Sequence, residues 1–299
     1  MEGREESRSQ AEARQAHERQ VKGYGKGGVE TVISVEDVNR QAAQLGGEGI
    51  TVEKLAALAG AEPFVKIEGL RAGYGKMQIL HNFNLQVARG QSLCLIGPNG
   101  AGKSTVLHSI FGFTNIYGGS VVVNGRDVTK LSPKDKLRSA GVAYILQDKS
   151  VFPGMTVEEN LWMGGYLMDK PADAKQKAEQ IFDKYPRLAE RRRHAAKVLS
   201  GGERRLLEIS RALVMNPEVL LVDEPSIGLE PRFIDMVFEI LEDLQHKDGK
   251  TIIMVEQNAK KGLEFADIGY VLVSGELAMA DRGDILLQDP EVGRLFLGG

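Results

Sequence analysis

The nine residues Gly97-Pro98-Asn99-Gly100-Ala101-Gly102-Lys103-Ser104-Thr105 constrain this chain more than any other stretch. Their spacing is G-x-x-x-x-G-K-[ST], the pattern of a phosphate-binding loop. The apolar run Leu93-Cys94-Leu95-Ile96 before it reads as a buried strand, and Val106 to Ile110 after it as the start of a helix. Strand, loop and helix in that order are what the pattern requires. Glycine lets backbone N–H groups turn inward around phosphate oxygens, because no Cβ opposes positive φ. The helix start adds free N–H donors and the positive end of its dipole. In that frame Lys103 holds the β- and γ-phosphates and Ser104 offers a hydroxyl to Mg²⁺. A plain glycine-rich turn is the bland alternative, which the full spacing and context outweigh.

At 299 residues the chain has room for one large domain or two small ones. A formal net charge of −3 at pH 7 gives no sign of a nucleic-acid partner. No stretch approaches the roughly 18 consecutive apolar residues of a membrane span, and no apolar signal-peptide core lies near Met1. A soluble cytoplasmic protein is the expectation. The single cysteine, Cys94, falls in the strand before the loop and reads as a small core residue.

Residues 1 to about 28 are polar, charged and then glycine-rich, so they are expected to be a disordered tail. Ser34 to Asp37 fits the cap of a short helix ending at Gly46-Gly47. Thr51 to Lys54 fits the cap of a second, running through Leu55 and Leu58 to Gly60. That second piece resembles the first half of a helix-turn-helix, but Pro63 and a strand pattern follow where the recognition helix belongs. Residues 1–62 are therefore set apart as an N-terminal extension, and the folded domain is expected over 63–299. Phe64 to Leu70 alternates as a half-buried strand. Asn124-Gly125 between extended runs is a hairpin signal. From about 150 to 215 the pattern is helical, with Thr156 and Glu159 spaced as a capping box. Val219 to Val222 and Thr251 to Val255 read as strands buried on both faces. The predicted class is α/β: a nucleotide-binding core with a mostly parallel sheet, an antiparallel β edge layer and a helical subdomain.

Two further stretches carry chemistry. Asp223-Glu224 stands at the C-terminal end of a buried strand, where ligands of open parallel sheets sit. Asp223 suits a water-mediated hold on Mg²⁺, and Glu224 is then placed to take a proton from attacking water. Ser200-Gly201-Gly202-Glu203 opens a helix and makes a second anion-binding N-terminus. One chain rarely needs two such sites for one triphosphate, so this one is read as serving a nucleotide held by a partner subunit.

The phosphate loop, Gln147, Leu199 to Glu203, Leu220 to Glu224 and Ser226 to Pro231, in that order, resemble an ATP-binding-cassette ATPase. The resemblance covers about residues 63–299. It implies that Tyr74 stacks on adenine, and that Gln147 touches Mg²⁺ and senses a transmembrane subunit. It also implies that Ser200, Gly201 and Gly202 close on the γ-phosphate bound by the other subunit. The implied cofactors are ATP and Mg²⁺. Two positions depart from the family pattern: the switch residue after the last core strand is Gln257 rather than histidine, and Glu230 stands where aspartate is usual. Gln257 can donate an amide hydrogen bond to a γ-phosphate but carries no proton.

More finely, Phe152 to Leu161, Val255-Glu256-Gln257-Asn258 and the Leu297-Gly298-Gly299 end resemble the smaller ATPase subunit of branched-chain amino-acid importers, with the urea-importer relative close by. Gly202-Glu203-Arg204-Arg205 also resembles the ATPase of lipopolysaccharide export, which keeps histidine at the switch. The resemblance implies transmembrane permease subunits, a second ATPase subunit, paralogous or identical, and indirectly a solute-binding protein. It places the chain on the inner face of the cell membrane. A soluble cassette ATPase outside transport is the alternative; such proteins usually carry paired cassettes or a long coiled coil. Arg191-Arg192-Arg193-His194 read as a solvated basic helix face, and Trp162 and Met163 as packing residues.

Overall fold

The computed structural model describes residues 50–60, 62–147 and 150–297. The expected tail and the expected helix at 34–46 lie outside the described residues. The chain begins with α1 (Val52–Ala59), β1 (Pro63–Tyr74), β2 (Met77–Ala88) and β3 (Ser92–Ile96), then α2 (Lys103–Phe111). β4 (Asn115–Val123), β5 (Arg126–Asp127), α3 (Pro133–Ala140) and β6 (Val142–Ile145) follow. Next come α4 (Val157–Gly164), α5 (Pro171–Lys184), α6 (Pro186–Glu190) and α7 (Gly201–Leu213). The last part runs β7 (Val219–Asp223), α8 (Pro231–His246), β8 (Thr251–Val255), α9 (Ala259–Phe265), β9 (Ile268–Val273), β10 (Glu276–Arg282) and α10 (Gly283–Gln288).

The strands form two sheets. One has the order β2-β1-β4-β5 and is antiparallel. The other has the order β10-β9-β3-β8-β7-β6 and is parallel except at β10. Successive residues of the parallel strands enter two cores, as the pleat demands. Leu93, Leu95, Leu221 and Ile253 face the antiparallel sheet and enclose α2. Cys94, Ile96, Leu220 and Met254 face the helices. Burial on both faces explains the unbroken apolar runs, and it holds the Cys94 thiol protonated by pushing its pKa up. At the hairpin, Asn124 and Gly125 both take positive φ, 51° and 72°, matching the right-handed strand twist.

The helical segment is stapled where the charge pattern shows no sign of it. Thr156 and Glu159 make the expected capping box on α4. Arg192, read as part of a solvated face, instead bridges Glu158 at 2.6 Å and Glu179, and its guanidinium lies over Phe182. A fork-shaped cation suits two carboxylates on different helices.

The start of the folded part also differs from expectation. Thr51 caps α1 and Gly60 ends it at φ 67°, as the residues indicate. But α1 packs on the cassette: Leu55 is fully buried with Phe83 and Leu85 of β2 in one core. Gln86 and Gln91 donate to the carbonyls of Val52 and Leu58, and Lys54 pairs with Asp281 at 3.2 Å. Packed structure therefore precedes Pro63, because Leu55 of this short helix, with Leu58 packed beside it, joins the core over β2. We predict that Leu55→Ala lowers unfolding free energy by about 2–5 kcal/mol. Val52→Ala, at an exposed position of the same helix, should cost less than about 0.5 kcal/mol. Urea unfolding of the full chain reads both; equal small effects would show that α1 does not contribute to the core.

The phosphate-loop helix is held at its far end as well. The amine of Lys136, fully buried, donates to Ser109 O in the last turn of α2, where the helix dipole favours a cation. Burial lowers this amine to a pKa of about 8. From pH 8 towards 10 the unfolded chain keeps the proton and the folded chain loses it, so this residue's contribution to stability rises with pH. The stability of the parent minus that of Lys136→Met should therefore increase over that window; a flat difference would contradict the assignment.

Candidate nucleotide site

Parallel strands in register finish at one edge, and the loops that leave it share the site. Asp223 of β7 stands beside Val255 of β8, and Ile145 of β6 beside Val222. The loop after β3 carries the phosphate pattern. Gly97 takes φ 143°, and a Cβ there would lie 2.1 Å from Leu272 O of β9, so only glycine fits. Gly102 caps α2 at φ 100° under Ile79 and Leu80. Gly275 N–H donates to Ala101 O at 2.9 Å, tying the loop to the β9–β10 turn. Asn99 and Gly100 are exposed, whereas Thr105 is buried.

Lys103 is folded back on its own loop. Its amine donates to Gly97 O at 2.8 Å and Pro98 O at 3.0 Å. Burial lowers its pKa, opposed by Glu224 and Asp223. Ser104 Oγ donates to Asp223 Oδ1 at 3.1 Å, and Tyr144 OH donates to Asp223 Oδ2 at 2.7 Å. Glu224 takes φ 45° and is fixed by its N–H to Val255 O at 2.8 Å. Gln147 Nε2 donates to Glu224 Oε2 at 2.8 Å. Burial, then the neighbouring Asp223 charge, raises the Glu224 pKa. One cluster thus holds Lys103, Ser104, Gln147, Asp223 and Glu224. Tyr144 completes it, and the sequence reading missed it. Its only signal is one hydroxyl in an apolar strand, which also describes an ordinary core tyrosine.

The other anticipated residues stand apart from that cluster. Tyr74 is 43% exposed and its hydroxyl meets His108 Nδ1 of α2 at 2.5 Å. Ser200 caps α7, and the Glu203 carboxylate returns to Ser200 N at 2.9 Å in a capping box while pairing with Arg191. Gly201 is exposed; a Cβ on Gly202 would strike the Phe233 ring at 2.2 Å. Among the described residues, no hydrogen bond joins Ser200–Glu203 to the phosphate loop. Gln257 is exposed, and its side chain has no hydrogen bond among the described residues. Glu230 is exposed and pairs with Arg232.

Buried Glu256 ties the edge together. It accepts from Ser226 Oγ at 2.7 Å, Ser226 N at 3.3 Å and Asn258 N at 2.8 Å. The loop after Glu224 and the loop carrying Gln257 are thereby joined through one carboxylate. On the helical side, Phe152, Met163, Tyr166 and Leu167 line a groove of about 330 Å³, with Arg211 over the Phe152 ring.

This fold and this edge define an ATP-binding cassette: the chain belongs to the ABC transporter ATPase family. The family's model, described as ABC transporter, matches residues 80–227. The high-affinity branched-chain amino acid transport ATP-binding protein BraG of Pseudomonas aeruginosa is 42% identical, over 76% of this chain and 96% of that protein. The probable branched-chain amino acid transport ATP-binding protein LivF of Archaeoglobus fulgidus is 37% identical, over 77% and 96%. A crystal structure of a nucleotide-free ATP-binding cassette from an ABC transporter superposes with a TM-score of 0.70 at 27% identity, covering 79% of this chain and all of that one. The domain binds and hydrolyses ATP, as cassettes of the family do. No helix among the described residues is long and apolar enough to cross a membrane.

We predict that Ser226→Ala, which takes from Glu256 its shortest hydrogen bond, costs about 1.5–3 kcal/mol in urea unfolding. A cost under about 0.5 kcal/mol would show that the tie is not made.

Proposed function

We propose that this chain is the ATP-hydrolysing motor of an importer for branched-chain amino acids, working as one of two cassettes against membrane permeases. The observation that carries the solute class is the 42% identity to BraG along nearly its whole length. Gln257 at the switch position favours the same branch.

In this reading the phosphate loop receives the β- and γ-phosphates. Lys103 leaves the Gly97 and Pro98 carbonyls and pairs with phosphate oxygens, a charge-assisted exchange for neutral acceptors. Ser104, Asp223 and Gln147 offer hard oxygens at the same edge, which suits Mg²⁺. That ion keeps waters and takes phosphate oxygens rather than an all-protein cage. When bound, Mg²⁺ would neutralise charge developing on the phosphates. Tyr144 orients the Asp223 carboxylate. Glu224, raised in pKa and held by Gln147, accepts the proton of the attacking water. Gln257 donates to the γ-phosphate. Tyr74 turns from His108 to the adenine face. The α7 start, Ser200 to Gly202, meets the nucleotide of a second cassette, so each chain supplies half of two sites. The groove at Phe152 and Met163 takes the permease.

Lys103→Ala should raise the ATP dissociation constant about tenfold or more, roughly 1.4 kcal/mol, with the melting temperature unchanged. Glu224→Gln should keep ATP affinity and lose roughly 10²- to 10⁴-fold in turnover. Gln257→Ala should slow turnover more than it weakens binding. Calorimetry and steady-state ATPase assays read all three; full turnover in Glu224→Gln would remove the base. For the solute, leucine uptake into proteoliposomes holding the assembled permease should require ATP, and absence of uptake with intact ATPase activity would point to another cargo.

A further inference from the structure

α7 carries a buried ion pair that neither phosphate binding nor helix capping uses. Arg205 and Glu208 are 4% and 6% exposed and meet at 2.9 Å, one turn apart. Burying two charges is costly, and apolar residues of like volume would often hold a helix as well. The remaining bonds of the guanidinium give the pair a purpose. Nη1 donates to Leu146 O at 2.7 Å and to Gln147 O at 3.4 Å. Nη2 donates to Asp223 O at 3.4 Å. Those carbonyls follow the end of β6 and end β7, and two of them belong to residues whose side chains enter the nucleotide cluster. A planar fork can grip two strand ends at once, which a lysine ammonium cannot do in the same way.

The pair also stands in the walls of two cavities. Glu208 lines the groove that holds Phe152 and Met163. Arg205 and Glu208 together line a second cavity of about 770 Å³, whose walls include Gln147, Gly201 and Leu229. The helix that starts at Ser200 therefore touches the groove on one side and the Gln147 side on the other. Glu208 is common to both, and its partner Arg205 faces the Gln147 side.

We propose that Arg205, neutralised by Glu208, is a positioning residue that carries displacement of α7 to Gln147 and to the Asp223–Glu224 strand end. A load on the groove, or on the N-terminus of α7, moves a rigid helix. Through the guanidinium the helix takes the ends of β6 and β7 with it, and so changes how Gln147 holds Glu224. This inference rests on the ATPase reading above.

The test uses the full chain and the double variant Arg205→Met/Glu208→Met, which removes both buried charges and keeps the fold filled. Arg205→Lys serves as the conservative variant. Hydrogen exchange of peptides ending at Gln147 should quicken about tenfold in both, while β3 and α2 peptides stay as in the parent. ATP affinity should stay within about threefold and kcat should fall about tenfold or more, a loss in kcat rather than in binding. Unchanged exchange at Gln147 overturns the proposal. So does a kcat within about twofold of the parent, or a loss of ATP affinity that accounts for the whole effect. A parent chain that binds ATP without hydrolysing it contradicts the ATPase reading instead, and the exchange result still decides the clamp.

Discussion

The register of the parallel sheet is the constraint on which the rest depends. Strands β6, β7, β8 and β3 end at one level, so the phosphate loop, Gln147, Asp223-Glu224 and Gln257 leave the sheet together. A one-residue slip in any strand would turn its buried side chains to the opposite core. It would also separate Ser104 from Asp223, which now meet at 3.1 Å. Two apolar cores, one on each face, make such a slip costly. The site is therefore held by burial far from the chemistry, and only the last hydrogen bonds are local.

Negative charge gathers at that edge. Asp223, Glu224 and Glu256 crowd the strand ends. Neutral donors from Ser104, Tyr144, Gln147, Ser226 and Asn258 meet them rather than cations. Lys103 is engaged with carbonyls of its own loop, where burial disfavours its charge. Phosphate oxygens would give that amine a stronger partner than those neutral carbonyls. Arg205, a buried cation that pairs with Glu208, belongs to the helix that Ser200 caps, and it grips the backbone of Leu146, Gln147 and Asp223 rather than the Asp223 and Glu224 side chains.

Much of this was legible in the sequence because it is local. The phosphate loop, the Asn124-Gly125 turn, the Thr156–Glu159 capping box and the doubly buried strands each depend on a few adjacent residues. What was not legible depends on partners distant in the chain. Leu55 reads as one apolar residue on a short helix until the β2 face beneath it is known. Arg192 reads as part of a basic run until Glu158 and Glu179 arrive from two other helices. Arg205 and Glu208 have the spacing of an ordinary exposed i,i+3 pair, and nothing near them marks the position as buried against β6 and β7. The separation of Ser200 from the phosphate loop was anticipated from a count of anion sites.

The most direct measurement is a crystal structure of the full-length chain with ATP and Mg²⁺. The account predicts the β-phosphate within the 97–105 loop, with Lys103 Nζ moved from the Gly97 and Pro98 carbonyls to phosphate oxygens and Ser104 Oγ released from Asp223. A nucleotide bound elsewhere, or one bound in the loop with Lys103 still on those carbonyls, would contradict it.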